Sequence, residues 1–144
     1  MCSLGYYLNK IPIELKEYIF KLTYKNINKN LLNDILDFSK SKSKIINKYS
    51  DYYLNNTLNI ILDYIQNDLL IYMNSNLHMI LGYSEKMEKI LLRSNLIISH
   101  EDIDLYIFVL NKKKPSQAIN ILLGLLTPYE RIDFINNYPI NIID

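Results

Sequence analysis

Hydrophobic positions recur at helical spacing along almost the whole chain. In the central segment, Leu54, Leu58, Ile61, Leu62 and Ile65 fall three or four residues apart, as one face of an α-helix requires. Three glycines, four prolines and no Asn-Gly or Asp-Gly pair provide too few tight turns for a multistranded protein. We therefore predict an all-α fold, a compact bundle of about eight or nine short helices.

The N-terminal third is predicted to hold two short helices followed by a connector. Pro12 suits the first turn of a helix, because it lacks the amide hydrogen that is left unpaired there, and a second helix is predicted over about 28–38. Residues 39–43 alternate serine with lysine, which is typical of a connector or a weak helix start. We expect one helical domain over 1–144, with a division into 1–50 and 51–144 as the alternative.

The central third is predicted to form a helical hairpin in the middle of the core. The pair Ser50–Asp51 can cap a helix that runs to about Gln66. The pair Asn67–Asp68 can cap the next helix, which Gly82 ends.

The C-terminal part carries helix starts with recognisable capping residues. The four predicted starts are Ser84, Ser99 with Asp102, Pro115 with Ser116, and Thr127 with Glu130. The last of them combines an N-cap threonine, a proline and a glutamate at the positions of a capping box. Its helix is predicted to end near Asn137, because Pro139 rules out a smooth continuation.

Composition indicates a coding bias as much as a function. Val109 and Ala118 are the only valine and alanine, whereas asparagine, lysine and tyrosine are abundant. This bias is typical of an AT-rich genome, such as that of a large DNA virus, a protist parasite or a low-GC bacterium. The 13 tyrosines therefore need no functional explanation.

Charge and hydropathy argue against several classes of partner. Sixteen Lys and Arg against 15 Asp and Glu give a net charge of +1, so we expect no nucleic-acid partner. The basic runs 40–44 and 112–114 are predicted to be solvated segments. The apolar runs are shorter than the ~20 residues of a membrane span, so no membrane partner is expected. Cys2 is the only cysteine, which agrees with a cytoplasmic location, or the host cytosol or nucleus if the genome is viral.

No motif for catalysis or metal binding is found. His78 and His100 lie far apart in sequence, and one cysteine cannot complete a zinc site. Glu101, Asp102 and Asp104 fall where the helix dipole favours carboxylates. We therefore expect no enzyme, metal or cofactor. An enzyme built from scattered Tyr, Lys and Asp residues is the alternative, and it predicts a deep pocket with convergent polar groups.

The N-terminal segment carries a pattern of apolar pairs after a proline. It begins with Ile11-Pro12-Ile13-Glu14-Leu15 and continues with Ile19-Phe20, Leu31-Leu32, Phe38-Ser39-Lys40 and Ile45-Ile46. In this order and spacing, residues 11–46 resemble an F-box.

The F-box resemblance implies that this segment binds the adaptor subunit of cullin-type ubiquitin ligases and that the remaining helices bind the target protein. The contact positions that it implies are Pro12, Leu15, Ile19, Phe20, Leu31 and Leu32. The resemblance therefore implies a non-enzymatic interaction protein that modulates the host by recruiting its ubiquitin-ligase machinery.

Two other interaction functions stay open. Residues 92–102 and 116–123 resemble two parts of a caspase-recruitment domain, a member of the death fold. That resemblance implies homotypic assembly with apoptotic or inflammatory adaptors. The remaining alternative is a structural or assembly protein, which symmetric oligomerisation through an apolar patch would favour. The oligomeric state does not follow from the sequence.

Overall fold

A computed structural model of the chain describes residues 29–78 and 81–139. The chain divides into two compact units, 1–35 and 36–144, of which the first is described only over 29–35. The described residues are all-helical, without a strand, which confirms the predicted fold class over that part of the chain. The helices are α1 (Lys29–Tyr52), α2 (Leu58–Met73), α3 (Glu85–Arg93), α4 (Ile103–Asn111), α5 (Pro115–Leu125) and α6 (Pro128–Asn137), with a 3-10 turn (His100–Asp102) before α4.

The predicted count of eight or nine helices is higher than the six α-helices among the described residues. One reason is that two predicted elements are parts of α1. The Lys/Ser segment 39–43 is not a connector, because it lies inside that helix. Ser41, Ile45 and Tyr49 are buried at a spacing of four residues, so a small serine continues the inward face. The helix predicted to begin at Pro12 lies outside the described residues.

The predicted central hairpin is also wrong. Helix α1 continues through Ser50 and Asp51 to Tyr52, and α2 begins only after Thr57. Helix α2 then runs through Asn67 and Asp68 without a break. The apolar period continues across both residues to the buried Leu69 and Leu70, so core packing decides the element and the two cap-type side chains do not.

Helix α2 ends at Met73, nine residues before the glycine that was predicted to stop it. Ser75 and Asn76 take positive φ angles of 55° and 64°, and the Asn76 N–H donates to the Ile71 carbonyl at 2.8 Å. Gly82, with a φ of +99°, instead lies just before Ser84. Asparagine and serine thus supply the left-handed residues that end this helix.

The capping predictions for the C-terminal helices are confirmed. The Ser84 hydroxyl accepts from the Met87 N–H at 3.3 Å, and an Asp102 carboxylate oxygen accepts from the Ser99 N–H at 2.9 Å. Glu130 accepts from the Thr127 N–H at 2.7 Å, while the Thr127 hydroxyl accepts from the Glu130 N–H at 3.3 Å. Helix α5 begins at Pro115 and α6 ends at Asn137, as predicted. Each such cap contributes about 1 kcal/mol.

The core of the second unit centres on Phe134. Its ring stacks on Tyr138 with centroids 4.9 Å apart and meets Tyr72 edge-on at 5.5 Å. Tyr49, from α1, stacks on the same ring at 6.5 Å. Aromatic clusters of this kind join helices that are distant in sequence, here α1, α2 and α6.

A buried arginine ties three helices together behind this cluster. Arg131 on α6 is 1% exposed and donates through Nε to the Leu123 carbonyl at 2.9 Å. Its Nη1 donates to an Asp37 carboxylate oxygen at 3.0 Å, and its guanidinium lies over the Phe38 ring. Because a buried charge is costly without partners, these contacts set the position of α6 against α1 and α5.

Candidate functional site

Helix α4 is apolar around its whole circumference. Seven of its nine residues are hydrophobic, and Asp104 and Asn111 are the exceptions. Ile103, Ile107 and Leu110 form the buried face. A helix that is apolar all round is usually buried on all sides. Here the outward face is open to solvent.

Three large side chains on that outward face are exposed. Leu105 is 65% exposed, Phe108 57% and Val109 47%. Positions three and four residues apart lie side by side on a helix, so the three side chains form one continuous stripe.

The segment before α4 extends the stripe. Leu96 is 45% exposed and Ile98 is 94% exposed. The Asp102 carboxylate accepts from the Ile98 N–H at 3.0 Å and from the Ser99 N–H at 2.9 Å, which holds the backbone in place. These backbone hydrogen bonds lower the pKa of Asp102. Ile98 is therefore an exposed hydrophobic residue on a fixed backbone.

These five side chains, Leu96, Ile98, Leu105, Phe108 and Val109, are called the α4 surface below. An open cavity of about 350 Å³ lies within it. Its lining is mostly apolar and consists of Leu96, Ile97, Ile98, Asp102, Leu105, Tyr106 and Val109.

Tyr106 places a buried hydroxyl beside this cavity. Its hydroxyl is buried and has no hydrogen-bond partner among the described residues. Burial alone raises the pKa of Tyr106 to about 12. A buried hydroxyl that stays without a partner is destabilising by about 1–3 kcal/mol, so a hydrogen-bond acceptor beside the Tyr106 hydroxyl would be favourable.

Opposite charges flank the α4 surface at its two ends. Glu101 and Asp104 lie at the N-terminal end, and Lys112–Lys114 follow its C-terminal end. The Lys112 ammonium lies 3.9 Å from the centre of the Phe108 ring. Asp104 accepts from the Tyr83 hydroxyl at 2.5 Å, and burial together with this carboxylate raises the pKa of Tyr83 to about 12.

A second cavity, of about 300 Å³, has the opposite character. It is lined by Tyr72, Ser75, Asn76, Lys86, Asp133, Asn137 and Tyr138. This cavity brings together the tyrosine, lysine and aspartate side chains that the enzyme alternative requires.

Partners within the chain occupy the main polar groups of this second cavity. The Tyr72 hydroxyl donates to Asp133 at 2.8 Å, and Asn137 donates to the same carboxylate group at 2.9 Å. The Lys86 ammonium donates to the Tyr72 carbonyl at 3.0 Å and lies 3.4 Å from the Tyr72 ring centre. The Tyr138 hydroxyl donates to Asn76.

The pKa values in this cavity follow from burial. Burial lowers the pKa of Lys86, although Asp133 and Glu130 oppose the shift. Burial and the hydrogen bond to Asp133 raise the pKa of Tyr72. A tyrosine with a raised pKa stays protonated and is a poor general base. The arrangement therefore connects α2, α3 and α6 as a polar network.

The residues predicted to bind a partner fall partly within the described residues. Leu31 and Leu32 lie near the start of α1 and are 57% and 45% exposed. Pro12, Leu15, Ile19 and Phe20 lie outside the described residues.

The histidines lie at the surface, and the two basic runs differ in structure. His78 and His100 are exposed, and the described residues contain no group of His, Cys, Asp or Glu side chains that could hold a metal ion. Lys112–Lys114 is solvent-exposed, whereas the lysines of residues 40–44 lie on α1. Over residues 29–78 and 81–139, none of the helices has the length and apolar content needed to cross a bilayer.

The α4 surface is the feature that sequence reasoning missed. None of its five side chains is among the residues predicted to bind a partner, and Leu105, Phe108 and Val109 form a second apolar stripe beside the buried one. Their spacing is itself the signal, because two apolar stripes on a nine-residue helix leave almost no polar face.

No protein-family model matches the chain, and no characterised protein or solved structure is significantly similar to it. Residues 92–102, which resemble part of a caspase-recruitment domain, run from the last two residues of α3 through the 3-10 turn before α4, and residues 116–123 lie in α5. Both the death-fold resemblance and the F-box resemblance remain predictions.

Proposed function

We propose that this chain is a non-enzymatic interaction protein that binds another protein molecule through the α4 surface. The observation that carries the proposal is a helix that is apolar all round and has Leu105, Phe108 and Val109 exposed to solvent. Exposed apolar patches with charged ends are characteristic of protein-binding sites.

The size of the surface sets the strength of binding that it supports. Covering these five partly exposed side chains, roughly 500 Å² of apolar area, would contribute about 12 kcal/mol at ~25 cal/mol per Å². Association itself costs about 4–15 kcal/mol in lost freedom. The apolar contact alone therefore supports only weak binding, and the charged residues at its two ends must add to it.

A photo-crosslinking amino acid tests the α4 surface directly in cells. Placed at Leu105 or Phe108, it should give a discrete protein adduct. Placed at Lys89 or Asn136, which are exposed on α3 and α6, it should give none. Adduct formation at Leu105 should also disappear when Phe108→Asp is present. Equal adducts at all four positions, or none at Leu105 and Phe108, would reject the proposal.

The N-terminal segment supplies the proposed identity of one partner. Residues 11–46 resemble an F-box, so we assign this segment to the adaptor subunit of cullin-type ubiquitin ligases. Exposure of Leu31 and Leu32 supports this assignment, because contact residues must be open to solvent before binding.

Purified adaptor subunit and purified full chain test this assignment. The intact chain should bind, and Leu31→Asp with Leu32→Asp should weaken binding at least tenfold. Leu54→Asp with Leu58→Asp is the matched control, since these leucines are 80% and 58% exposed elsewhere on the chain. If the intact chain does not bind, the adaptor assignment is rejected. The proposal for the α4 surface is not affected, because the crosslinking experiment tests it separately. Equal losses in both double variants would also reject it.

The second cavity, called the polar cavity below, supports a second candidate function. This function is to bind a small polar molecule or to catalyse a reaction on it. Its support is the convergence of Tyr72, Lys86 and Asp133 around about 300 Å³. An amine-reactive reagent at limiting concentration tests this. Selective labelling of Lys86 over the exposed Lys89 would favour the candidate, whereas uniform labelling would reject it.

A further inference from the structure

Four exposed residues lie in a row along the outward side of α4 and the turns that flank it. Glu101, Leu105, Phe108 and Lys112 follow one another at spacings of four, three and four residues. Such spacing places side chains along one line on a helical surface. With a rise of about 1.5 Å per residue, the acidic and basic ends are roughly 16 Å apart.

This row is complementary to itself when it is reversed. Its sequence from one end is acidic, apolar, apolar, basic. Two copies packed antiparallel would set Glu101 of one copy opposite Lys112 of the other. Leu105 would then meet Phe108 of the second copy. A parallel arrangement would instead oppose acid with acid and base with base.

Neighbouring residues have the same polarity along the helix. Asp104 adds to the acidic end, and Lys113 and Lys114 add to the basic end. The Lys112 ammonium packs beside its own Phe108 ring, 3.9 Å from the centre, so it already lies at the edge of the apolar stripe.

We propose that the molecule bound at the α4 surface is a second copy of this chain, packed antiparallel about a two-fold axis that passes between Leu105 and Phe108. The inference rests on the proposed function only in treating the α4 surface as a binding surface. Two-fold interfaces are isologous, which means that the same patch must fit itself. The reversed charge order of this row meets that requirement.

The extent of the surface predicts a reversible dimer. The α4 surface exposes roughly 500 Å² of apolar area per copy, about the apolar share of a standard interface of ~800 Å² total area per partner, and its burial largely offsets the ~4–15 kcal/mol cost of association. We therefore expect a dimer that dissociates in the micromolar range and that weakens as salt screens the charged ends.

Sedimentation equilibrium of the purified chain, from low micromolar to several hundred micromolar, measures this directly. The mass should rise from 17.1 kDa towards twice that value. Glu101→Lys alone and Lys112→Glu alone should each weaken dimerisation at least tenfold, because each opposes like charges twice across the axis. Lys89→Glu on α3 is the control with the same charge change as Lys112→Glu, and it should have no effect.

An equimolar mixture of the two single variants provides the decisive result. In a mixed dimer, the introduced lysine of the first variant faces the introduced glutamate of the second. The unchanged Lys112 of the first variant then faces the unchanged Glu101 of the second, so dimers should reappear. The double variant Glu101→Lys with Lys112→Glu should also dimerise. A heterologous partner would show neither restoration.

Three outcomes would overturn the inference. They are a 17.1 kDa species at all concentrations, a dimer that neither charge variant nor Phe108→Asp affects, and a mixture that stays monomeric. Circular dichroism should show unchanged helicity in the variants, since the substituted residues are exposed. A monomeric chain that still forms a discrete adduct from Leu105 in cells would retain the proposed function and remove only the second copy.

Discussion

The two cavities described above are similar in size but differ in how their polar groups are paired. The polar cavity, at about 300 Å³, pairs the Tyr72 hydroxyl with Asp133 and the Lys86 ammonium with the Tyr72 carbonyl. The cavity in the α4 surface, at about 350 Å³, leaves the Tyr106 hydroxyl without a partner among the described residues. The polar groups of the first cavity are paired within the chain, whereas the second cavity combines exposed apolar side chains with a buried hydroxyl that is unpaired among the described residues.

The largest expected contrast lies between two phenylalanines. Phe134 is fully buried beneath the polar network, so Phe134→Ala should destabilise the fold by about 3–5 kcal/mol. Phe108 is 57% exposed, so Phe108→Ala should change the stability of the monomer by less than about 0.5 kcal/mol. Urea unfolding at low micromolar concentration measures both. A loss at Phe108 as large as at Phe134 would show that α4 is a core helix on both faces.

A matched pair of hydroxyl deletions should change the free energy of unfolding differently. Tyr72→Phe removes the donor to Asp133 and should destabilise the fold by about 1–2 kcal/mol, because the carboxylate keeps its partial burial. Tyr106→Phe removes a buried hydroxyl that has no partner among the described residues, and it should be neutral or stabilising by up to about 1 kcal/mol. Thermal unfolding of the two variants measures the difference. Equal losses would mean that both hydroxyls are satisfied in the folded chain.

The difference between predicted and observed elements has a physical cause. Ser99 and Thr127 precede helical segments because Asp102 and Glu130, three residues later, supply reciprocal hydrogen bonds. The Ser84 hydroxyl accepts from the Met87 N–H, so a local pattern is sufficient at all three positions. The pair Asn67–Asp68 has the same capping chemistry but lies inside α2, where the apolar period outweighs it. Local capping signals therefore located helix starts only where the apolar period also began.

The candidate site was harder to predict for a different reason. Ile103 and Leu105 are both large aliphatic residues, yet one is 0% and the other 65% exposed. A helix that is apolar all round does not tell which stripe faces the core, because that depends on the helices packed against it. Leu31 and Leu32 come from the resemblance to an F-box, and their role in binding stays a prediction.

The smallest expected effect concerns Glu130, which pairs with Arg93 and caps α6 together with Thr127. Burial raises the pKa of Glu130, but the hydrogen bonds from Arg93 and Thr127 outweigh it and hold the pKa below its ordinary value. Because the pKa of Glu130 is lower in the folded than in the unfolded chain, its ionised carboxylate stabilises the fold at pH values above the unfolded-state pKa. This stabilisation is lost as the pH falls through the folded-state pKa.

Glu130→Gln should therefore cost on the order of 0.5 kcal/mol at neutral pH, and its difference from the parent chain should shrink below about pH 4.5. Urea unfolding from pH 3 to 7 measures this. The matched control is Glu85→Gln, which alters an exposed pair with Lys89 on α3. A difference in stability between Glu130→Gln and the parent chain that grows on acidification would contradict a lowered pKa of Glu130 in the folded state.

Hydroxyl-radical footprinting of the native protein in its cell extract, compared with the dilute purified chain, tests most directly whether the α4 surface is a binding surface. Leu54 and Tyr129 are 80% and 79% exposed and provide reference positions. We predict that Leu105 and Phe108 oxidise several-fold more slowly in the extract after normalisation to these references. Equal normalised rates in both samples would contradict a bound protein at the α4 surface.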